Sequence, residues 1–350
     1  MTSTAPLRAE LARHYDLTPS LAAAEATRAI YDRMSRVVSF ADWARHAPYV
    51  LAINRLKAER DAVVLAHNYM TPDIYHGIAD VVGDSLQLAI EATKVKAQVI
   101  VQCGVHFMAE TSKILNPAKT VLMPDMEAGC SLAESITPAG IAEMRARYPG
   151  APVVSYVNTT AEVKAASDVC CTSSNAAQIV AAMPVDTVIM TPDQYLAQNV
   201  AKQVPWKRIV WWEGSCIVHE RFTAQDLRDF REFQPDTTII AHPECPPDVL
   251  AEADFAGSTS GIIDYVTRNR PAKAMLVTEC SMASNISDAL PDVEFVGPCN
   301  MCPYMKMITL EKVLWSLHSM TTPVEVEAEV AARARIAVER MIDLSRKAAA

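Results

Sequence analysis

An internal repeat constrains the fold of this chain more than any other feature of its sequence. A shift of 86 residues aligns the stretch that begins at Gly129 with the stretch that begins at Ser215. The aligned pairs are Cys130 with Cys216, Thr137 with Thr223, Arg145 with Arg231, Val153 with Ile239, Tyr156 with His242, Asn158 with Glu244, Asp168 with Asp254, and Ser173 with Thr259. Self-similarity at a fixed period indicates repeated structural units, so the two stretches predict two copies of one unit.

A third copy lies near the start of the chain if two or three residues are inserted. There LAHNY matches VSYVN and IAHPE, and ADVVGDS matches SDVCCTS and ADFAGST. At the other end, the shift of 86 takes Cys216 to Cys302 and Thr223 to Thr309, which we predict to be the N-cap of a helix. The C-terminal segment therefore supplies the opening helix of the first unit. We expect three units around a pseudo-threefold axis, with one cysteine from each junction near its centre.

Short apolar runs alternate with longer helical stretches along the chain. Runs of this kind are typical of parallel strands that are covered on both faces. The pattern predicts an α/β fold in which three parallel-sheet, three-layer domains surround the pseudo-threefold axis. The nine runs are AVVLAHN, AQVIVQC, KTVLMPD, APVVSYV, VDTVIMT, KRIVWWE, TTIIAHP, KAMLVTE and VEFVGP. The expected domains are 1–128 (a helical extension plus the first α/β domain, completed by helices in 303–350), 129–214, and 215–302.

Composition excludes several classes of function. Half of the 350 residues are hydrophobic, enough for a large core, and the formal net charge of −9 argues against nucleic acid or an anionic membrane as a partner. No apolar run is long enough for a membrane helix, and the N-terminus lacks the apolar segment of a secretory signal, so we expect a cytoplasmic protein. In that compartment disulfides are improbable for the nine cysteines, and buried thiols or metal ligands are the competing readings.

The three repeated cysteines, Cys130, Cys216 and Cys302, have two interpretations. Three thiolates that meet at an axis describe a metal site with one open position, either zinc with a water or a 4Fe-4S cluster with one iron free of protein ligands. Alternatively, the three are buried structural cysteines. An open position would make the site catalytic, because the metal can then act as a Lewis acid.

Other repeated positions fall where parallel sheets bind ligands. Three pairs of residues lie at the carboxyl ends of predicted strands: His67 and Tyr69, Tyr156 and Asn158, and His242 and Glu244. Three small polar pairs precede helical stretches and bring hydroxyls and free amides to helix N-termini: Asp84 and Ser85, Thr172 and Ser173, and Ser258 and Thr259. Each residue also has a structural alternative, such as an N-cap, a core histidine, a strand aromatic or, for Glu244, a solvated turn residue.

The motifs LAHNY, GDSLQLA, YVNTTAEVKAASDVCCTSSNA, HPEC, AGST and CNMCPYMKMITLEK together resemble the quinolinate synthase family. The resemblance runs from about residue 50 to 320. It implies three pseudo-symmetric α/β domains around a central active site with a 4Fe-4S cluster, and condensation of iminoaspartate (iminosuccinate) with dihydroxyacetone phosphate to quinolinate, a step of NAD biosynthesis with dehydratase character. The implied partners are these substrates and an aspartate oxidase or dehydrogenase that supplies the first.

The resemblance also implies site residues. The cluster ligands would be Cys130, Cys216 and Cys302, with one iron left open. Tyr69, Tyr156, His242 and Glu244 would be catalytic acids and bases. The substrate contacts would be His67, Tyr69, Ser85, Tyr156, Val157, Asn158, Ser173, His242, Pro243, Glu244 and Thr259.

Two features depart from a full match. Some relatives carry CxxCxxC at the third ligand, whereas Val296 stands at its first position here. Cys299 lies outside the repeat frame, and we expect it to be a free thiol that tunes or exchanges with the cluster. Two other functions stay open: an iron-sulfur hydro-lyase acting on another hydroxy acid, and a zinc-stabilised or metal-free α/β binding protein.

Overall fold

The computed structural model describes residues 5–349 and contains three separate four-stranded parallel sheets. We refer to each sheet with its flanking helices as the first, second or third unit. The first sheet contains β1 (Ala62–His67), β2 (Val81–Gly83), β3 (Val99–Cys103) and β4 (Thr120–Leu122). The second contains β5 (Val153–Tyr156), β6 (Val169–Cys171), β7 (Thr187–Thr191) and β8 (Arg208–Trp211). The third contains β9 (Thr237–Ala241), β10 (Phe255–Ala256), β11 (Lys273–Val277) and β12 (Glu294–Phe295).

The three sheets share one topology, which confirms the α/β prediction. Their strand orders are β2-β1-β3-β4, β6-β5-β7-β8 and β10-β9-β11-β12. All nine expected strands are present, and the edge strands β2, β6 and β10 are additional. These three strands are only two or three residues long and fall in the ADVVGDS, SDVCCTS and ADFAGST segments, where the apolar pattern is too short to predict a strand.

Helices connect the parallel strands, as crossover connections require. The N-terminal helices are α1 (Ala5–Leu11), α2 (Leu21–Ala26), α3 (Arg28–Tyr31) and α4 (Phe40–Glu59). The first unit adds α5 (Pro72–Tyr75), α6 (Ser85–Ala92) and α7 (His106–Leu115). The second adds α8 (Ser131–Glu134), α9 (Pro138–Arg147), α10 (Ala161–Ala165), α11 (Ala176–Ala181) and α12 (Gln194–Gln203). The third adds α13 (Ala224–Phe233), α14 (Pro247–Ala251), α15 (Thr259–Asn269) and α16 (Ser281–Ile286), and the chain ends with α17 (Leu310–Ser319) and α18 (Ala328–Ala349).

A recurring polar link confirms the repeat in three dimensions. In each unit an aspartate Oδ2 accepts a hydrogen bond from the amide of the first strand, and a basic side chain pairs with the same aspartate. The sets are Asp80 with Val64 and Lys57, Asp168 with Val153 and Arg145, and Asp254 with Ile239 and Arg231, with oxygen-to-amide distances of 2.7, 2.7 and 2.8 Å. The first copy predicted from the sequence therefore has the same internal contacts as the other two.

The repeated threonines are helix caps, as predicted for Thr309. The side chains of Thr137, Thr223 and Thr309 accept hydrogen bonds from amides in the first turns of α9, α13 and α17. Each of these helices follows the last strand of one sheet, and the repeated cysteine lies between that strand and the helix. The three cysteines thus occupy equivalent junctions.

The terminal helices pack on the sheet-bearing units. Helix α17 contacts α1 and α4 of the N-terminal helices and β3 of the first unit. Helix α18 contacts α7 of the first unit and α10, α11 and β6 of the second. Among residues 5–349, no helix combines the length and apolar character that crossing a bilayer would need.

The expectation that no disulfide forms is wrong at one pair. Cys280 and Cys299 are joined, with an S–S distance of 2.20 Å, and the remaining seven cysteines are free. The bond ties the loop after β11 to the loop that leads to Cys302. Cys299 is therefore not the free thiol that the sequence suggested.

Candidate active site

A cavity of about 70 Å³ lies where the three units meet, and most of the predicted site residues line it. The carboxyl ends of β1, β5 and β9 open onto it, as expected for ligand sites of parallel sheets. Its walls include all three repeated cysteines and nine of the eleven expected substrate contacts: His67, Tyr69, Ser85, Tyr156, Asn158, Ser173, His242, Glu244 and Thr259. Val157 and Pro243 are buried but do not line this cavity, because neighbouring residues of an extended segment point to opposite sides.

The three junction cysteines have the same local geometry. Each thiol is free, and each sulfur accepts hydrogen bonds from the backbone amides two and three residues further along the chain. The donating amides belong to Leu132 and Ala133, to Val218 and His219, and to Tyr304 and Met305. These amides lie in the short helical turns that follow the cysteines, so one local fold presents all three sulfurs.

These cysteines fit a cationic iron-sulfur centre. Burial raises the pKa of Cys130 to about 12 and also raises the pKa of Cys216 and of Cys302, so the thiols need a positive partner to ionise. Amide hydrogen bonds to sulfur are a means by which proteins hold and tune such clusters. Three cysteine sulfurs could bind three of the four irons of a 4Fe-4S cluster, which would leave one iron without a cysteine ligand.

Glu244 is the centre of a buried hydrogen-bond network beside Cys216. Its Oε1 accepts from the Tyr156 hydroxyl at 2.5 Å, and its Oε2 accepts from His219 Nδ1 at 2.8 Å. Glu244 is only 4% exposed, so the solvated-turn alternative is wrong. Burial would raise the pKa of this carboxyl, but His242, His219 and the two hydrogen bonds lower it on balance, and the group is an ionised acceptor.

The network extends from Glu244 to Tyr69 through two residues. Because Glu244 is ionised, Nδ1 of His219 donates to it, and the other ring nitrogen, Nε2, lies 3.0 Å from the Thr278 hydroxyl. Thr278 in turn lies 2.6 Å from the Tyr69 hydroxyl. The chain Tyr69–Thr278–His219–Glu244 has the hydroxyl–imidazole–carboxylate order that moves protons in hydrolase triads.

Two matching turns present the predicted pairs to the cavity. In the first unit, His67 Nδ1 accepts the amide of Tyr69 at 3.2 Å; in the third, His242 Nδ1 accepts the amide of Glu244 at 3.4 Å. Burial lowers the pKa of His67 to about 4 and of His242 to about 3, so both rings are neutral at pH 7. With Nδ1 accepting, each ring carries its proton on Nε2 and is a hydrogen-bond donor there.

The two phenols stay protonated. Burial, and then the charge of Glu244, raise the pKa of Tyr69 and of Tyr156 well above the usual value. Both side chains are therefore hydrogen-bond donors with a proton that a basic intermediate can take. Asn158, which also lines the cavity, has a buried Oδ1 without a hydrogen-bond partner. That oxygen is an acceptor available to a ligand.

The hydroxyl positions agree with the expectation in two units out of three. Ser85 and Thr259 are the first residues of α6 and α15, and Asn68 donates a 2.8 Å hydrogen bond to the Thr259 hydroxyl. Ser173 lies in a turn three residues before α11 rather than at a helix start, because the side chain of Asn175 takes the amide and hydroxyl of Thr172. It nevertheless reaches the same cavity.

His219 and Thr278 belong to the network around Glu244, and neither was among the residues expected from the sequence. The repeat directed attention to positions that recur, and the copies of His219 are Ala133 and Met305, whereas the copy of Thr278 in the second unit is Pro192. The sequence feature that could have indicated His219 is its position three residues after Cys216, a candidate ligand. The ligand atoms of Cys216, His219 and Glu244 lie within 4.8 Å of one another, a spacing that a single metal ion also accepts.

Comparisons with known proteins agree with this architecture. The sequence model of a family described as "Quinolinate synthetase A protein" matches residues 51–343. The chain is 59% identical over 329 residues to the quinolinate synthase of Sinorhizobium fredii, which covers 94% of this chain and 91% of the relative. It is 55% identical over 322 residues to that of Caulobacter vibrioides, covering 91% and 88%, and 59% identical over 291 residues to that of Xylella fastidiosa, covering 83% and 86%. With three parallel sheets, three equivalent junction cysteines and a match over most of its length, the chain belongs to the quinolinate synthase A family of enzymes.

Proposed function

We propose that this chain condenses iminoaspartate with dihydroxyacetone phosphate to form quinolinate, releasing phosphate and water, in NAD biosynthesis. Family membership supports the reaction. The structural observation that carries the proposal is that three free cysteines, one from each junction, line the same cavity as the buried Glu244 network. An aspartate oxidase or dehydrogenase is the class of enzyme that would supply the imine.

In this proposal, Cys130, Cys216 and Cys302 hold a 4Fe-4S cluster. When bound, such a cluster supplies an iron without a protein ligand, which is a Lewis acid for a hydroxyl, carbonyl or carboxylate oxygen. The matching amide hydrogen bonds to the three sulfurs support this ligand set over a set of buried structural thiols. Cys280 and Cys299 are paired with each other and are outside it.

The remaining residues bind substrate and move protons. Glu244, ionised and held by two donors, is placed to accept a proton from carbon or nitrogen during isomerisation and ring closure. Tyr156 and Tyr69 are the proton donors, and hydrogen bonds through Thr278 and His219 connect the Tyr69 hydroxyl to Glu244. The Nε2–H groups of the neutral rings of His67 and His242 orient substrate oxygens.

Anionic groups of the substrates would be bound without a basic side chain. Among the described residues that line the cavity, none is lysine or arginine. Hydroxyls and amides at the starts of α6 and α15, with Ser85 and Thr259, supply the hydrogen bonds that carboxylate and phosphate oxygens need. Neutral donors of this kind release phosphate more readily than an arginine clamp would, which suits a reaction in which phosphate leaves.

Anaerobic purification, followed by iron and sulfide analysis and an activity assay, tests the proposal. We expect a brown protein with about four irons per chain, and quinolinate formation from iminoaspartate and dihydroxyacetone phosphate. A colourless protein with one zinc would favour the Cys216, His219 and Glu244 group as a mononuclear site and would contradict the cluster. A four-iron protein that dehydrates another hydroxy acid, but makes no quinolinate, would be the hydro-lyase instead.

A further inference from the structure

Two turns that carry site residues are each bound by a buried asparagine side chain that belongs to a neighbouring unit. Asn199 of α12 donates its side-chain amide to the carbonyls of Pro243 and Cys245, at 2.9 and 3.1 Å. Asn285 of α16 donates in the same way to the carbonyls of Asn68 and Met70, at 2.9 and 2.7 Å. In both cases one Nδ2 binds the two carbonyls that flank the reactive residue, Glu244 in the third unit and Tyr69 in the first.

The two asparagines occupy equivalent positions of the repeat and make equivalent contacts. Asn285 follows Asn199 by 86 residues, the interval that separates Cys216 from Cys302. Both side chains are 4% exposed, and the two turns they hold have the same internal hydrogen bonds: the amide of Cys245 to the carbonyl of His242 at 3.0 Å, and the amide of Met70 to that of His67 at 2.9 Å. The same double hydrogen bond thus recurs at the interface of the second and third units and at the interface of the third and first units. Packing within a single unit does not explain this recurrence.

The equivalent turn of the second unit, which follows β5, makes different contacts. There the turn after β5 is bound by the buried carboxylate of Glu110 from α7, which accepts the amide of Ala161 at 3.0 Å. The carbonyl of Thr159 accepts from the buried Lys164 of its own unit. Among the described residues of this turn, no side-chain amide from a neighbouring unit binds two carbonyls. The double contact made by an asparagine is therefore found at the turn of His67 and Tyr69 and at the turn of His242 and Glu244.

We propose that Asn199 and Asn285 are positioning residues, which set the reactive side chains of one unit by anchoring its turn to a helix of a neighbouring unit. This inference rests on the proposed function for the kinetic effect, but not for the structural one. Asn199 fixes the turn of His242 and Glu244, and Asn285 fixes the turn of His67 and Tyr69. Asn285 Oδ1 is buried without a partner, so its amide orientation is set by the two carbonyls alone.

The test compares N199D and N285D with a matched control, N116D. Asn116 is also buried, and its Nδ2 also donates to two carbonyls, those of Ala92 and Ser112 at 3.0 and 3.1 Å, but these lie within the first unit away from the cavity. In all three variants a carboxylate replaces an amide donor that faces two carbonyl oxygens. We therefore expect similar losses of thermal stability in the three proteins.

Amide hydrogen exchange of the intact protein separates positioning from stability. N199D should speed exchange in a peptide that covers residues 242–246 and leave residues 67–71 unchanged, N285D should do the reverse, and N116D should alter neither. If a variant does not fold, the shorter Asn199→Ser or Asn285→Ser replaces it, with Asn116→Ser as its control. Exchange that changes equally in both turns, or in neither, would overturn the proposal.

Kinetics of the iron-loaded enzyme supply the second readout. A shift of about 1 Å in a reacting group can cost about 100-fold in rate, so we expect kcat to fall by tenfold or more in N199D and N285D while each KM changes little. N116D should keep the parent kcat within about twofold, and all three variants should keep the parent iron content. Parent-like kcat in N199D would overturn the inference. A parent enzyme that makes no quinolinate would instead contradict the proposed function, and the exchange data would still decide the role of the two asparagines.

Discussion

The hydroxyl of Tyr156, from the second unit, donates a 2.5 Å hydrogen bond to the Glu244 carboxylate of the third unit. The two residues are 88 positions apart in sequence. Because the same carboxylate also accepts from His219 near Cys216, the contact links the proposed cluster ligand to the phenol across a unit boundary. The reactive groups therefore depend on how the units dock.

Glu244→Gln should abolish most activity without loss of the cluster ligands. The amide keeps the shape of the side chain but removes its negative charge, so it can no longer take a proton or be the ionised acceptor for Tyr156 and His219. We expect kcat to fall by about 10² to 10⁴. Steady-state quinolinate formation under nitrogen measures this, and Glu252→Gln, which changes a surface carboxylate of the same unit, is the control. Comparable loss in both variants would contradict the role of Glu244.

Cys302→Ser should lose the cluster, whereas Cys299→Ser should retain most of the iron. Cys302 lines the cavity as a free thiol, while Cys299 is bonded to Cys280. Alkylation of the unfolded apo-protein should label seven cysteines without a reductant and nine after reduction, because two of the nine are paired. Iron analysis and mass spectrometry check both results. Greater iron loss in Cys299→Ser would mean that the ligand was assigned to the wrong cysteine.

The free energy of unfolding should fall as the pH drops below neutrality. His67 and His242 have folded pKa values of about 4 and about 3, below the 6.5 of an exposed histidine. At pH values between the folded pKa and 6.5, the unfolded chain binds more protons than the folded chain. The contribution of these two histidines to the free energy of unfolding is therefore fully present above pH 6.5 and is lost as the pH falls. Each histidine adds up to about 1.4 kcal/mol per pH unit to the slope.

Denaturant unfolding from about pH 7 to about pH 4 measures this slope. His242→Gln should make it shallower, since one of the buried rings no longer titrates. His14→Gln, at an exposed position, should leave it unchanged. An identical slope in His242→Gln and the parent would show that the buried ring is not a source of acid sensitivity.

Lys164→Met should destabilise the fold by about 3 kcal/mol. Lys164 is fully buried and donates to the carbonyl of Thr159; burial raises the pKa of the buried Glu110 on balance, and the charge of Lys164 opposes that rise. Removing the lysine leaves that carboxylate without its nearby cation. Adding Glu110→Gln to Lys164→Met should recover part of the loss, as urea unfolding would show. Lys94→Met, at an exposed ion pair, is the control, and simple additivity of the two core substitutions would contradict their coupling.

Much of the architecture was predictable because it repeats. The interval of 86 residues located equivalent cysteines, capping threonines and strand ends, and the structure has the three caps and all nine expected strands. Edge strands β2, β6 and β10 were missed since two or three residues carry no periodic signal. Ser173 was expected at a helix start, but the Asn175 side chain bonds to Thr172 and delays the helix to Ala176.

The site was only partly predictable, because its key contacts break the repeat. His219 and Thr278 complete the network around Glu244, yet neither residue recurs at the equivalent positions of the other units. The Cys280–Cys299 bond was likewise hidden, since the cytoplasmic location expected from the sequence would favour free thiols, and only the proximity of the two residues reveals the pair.

The sequence by itself determined the α/β units, their number, and the residue types at each junction and strand end, because these follow from local apolar patterns and a period along the chain. Only the tertiary structure decided which of those side chains meet. Tyr156 reaches Glu244, and Asn285 reaches the turn of Tyr69, because separate units pack against one another in one orientation. That orientation depends on complementary buried surfaces distributed over the whole chain, and no single motif records it.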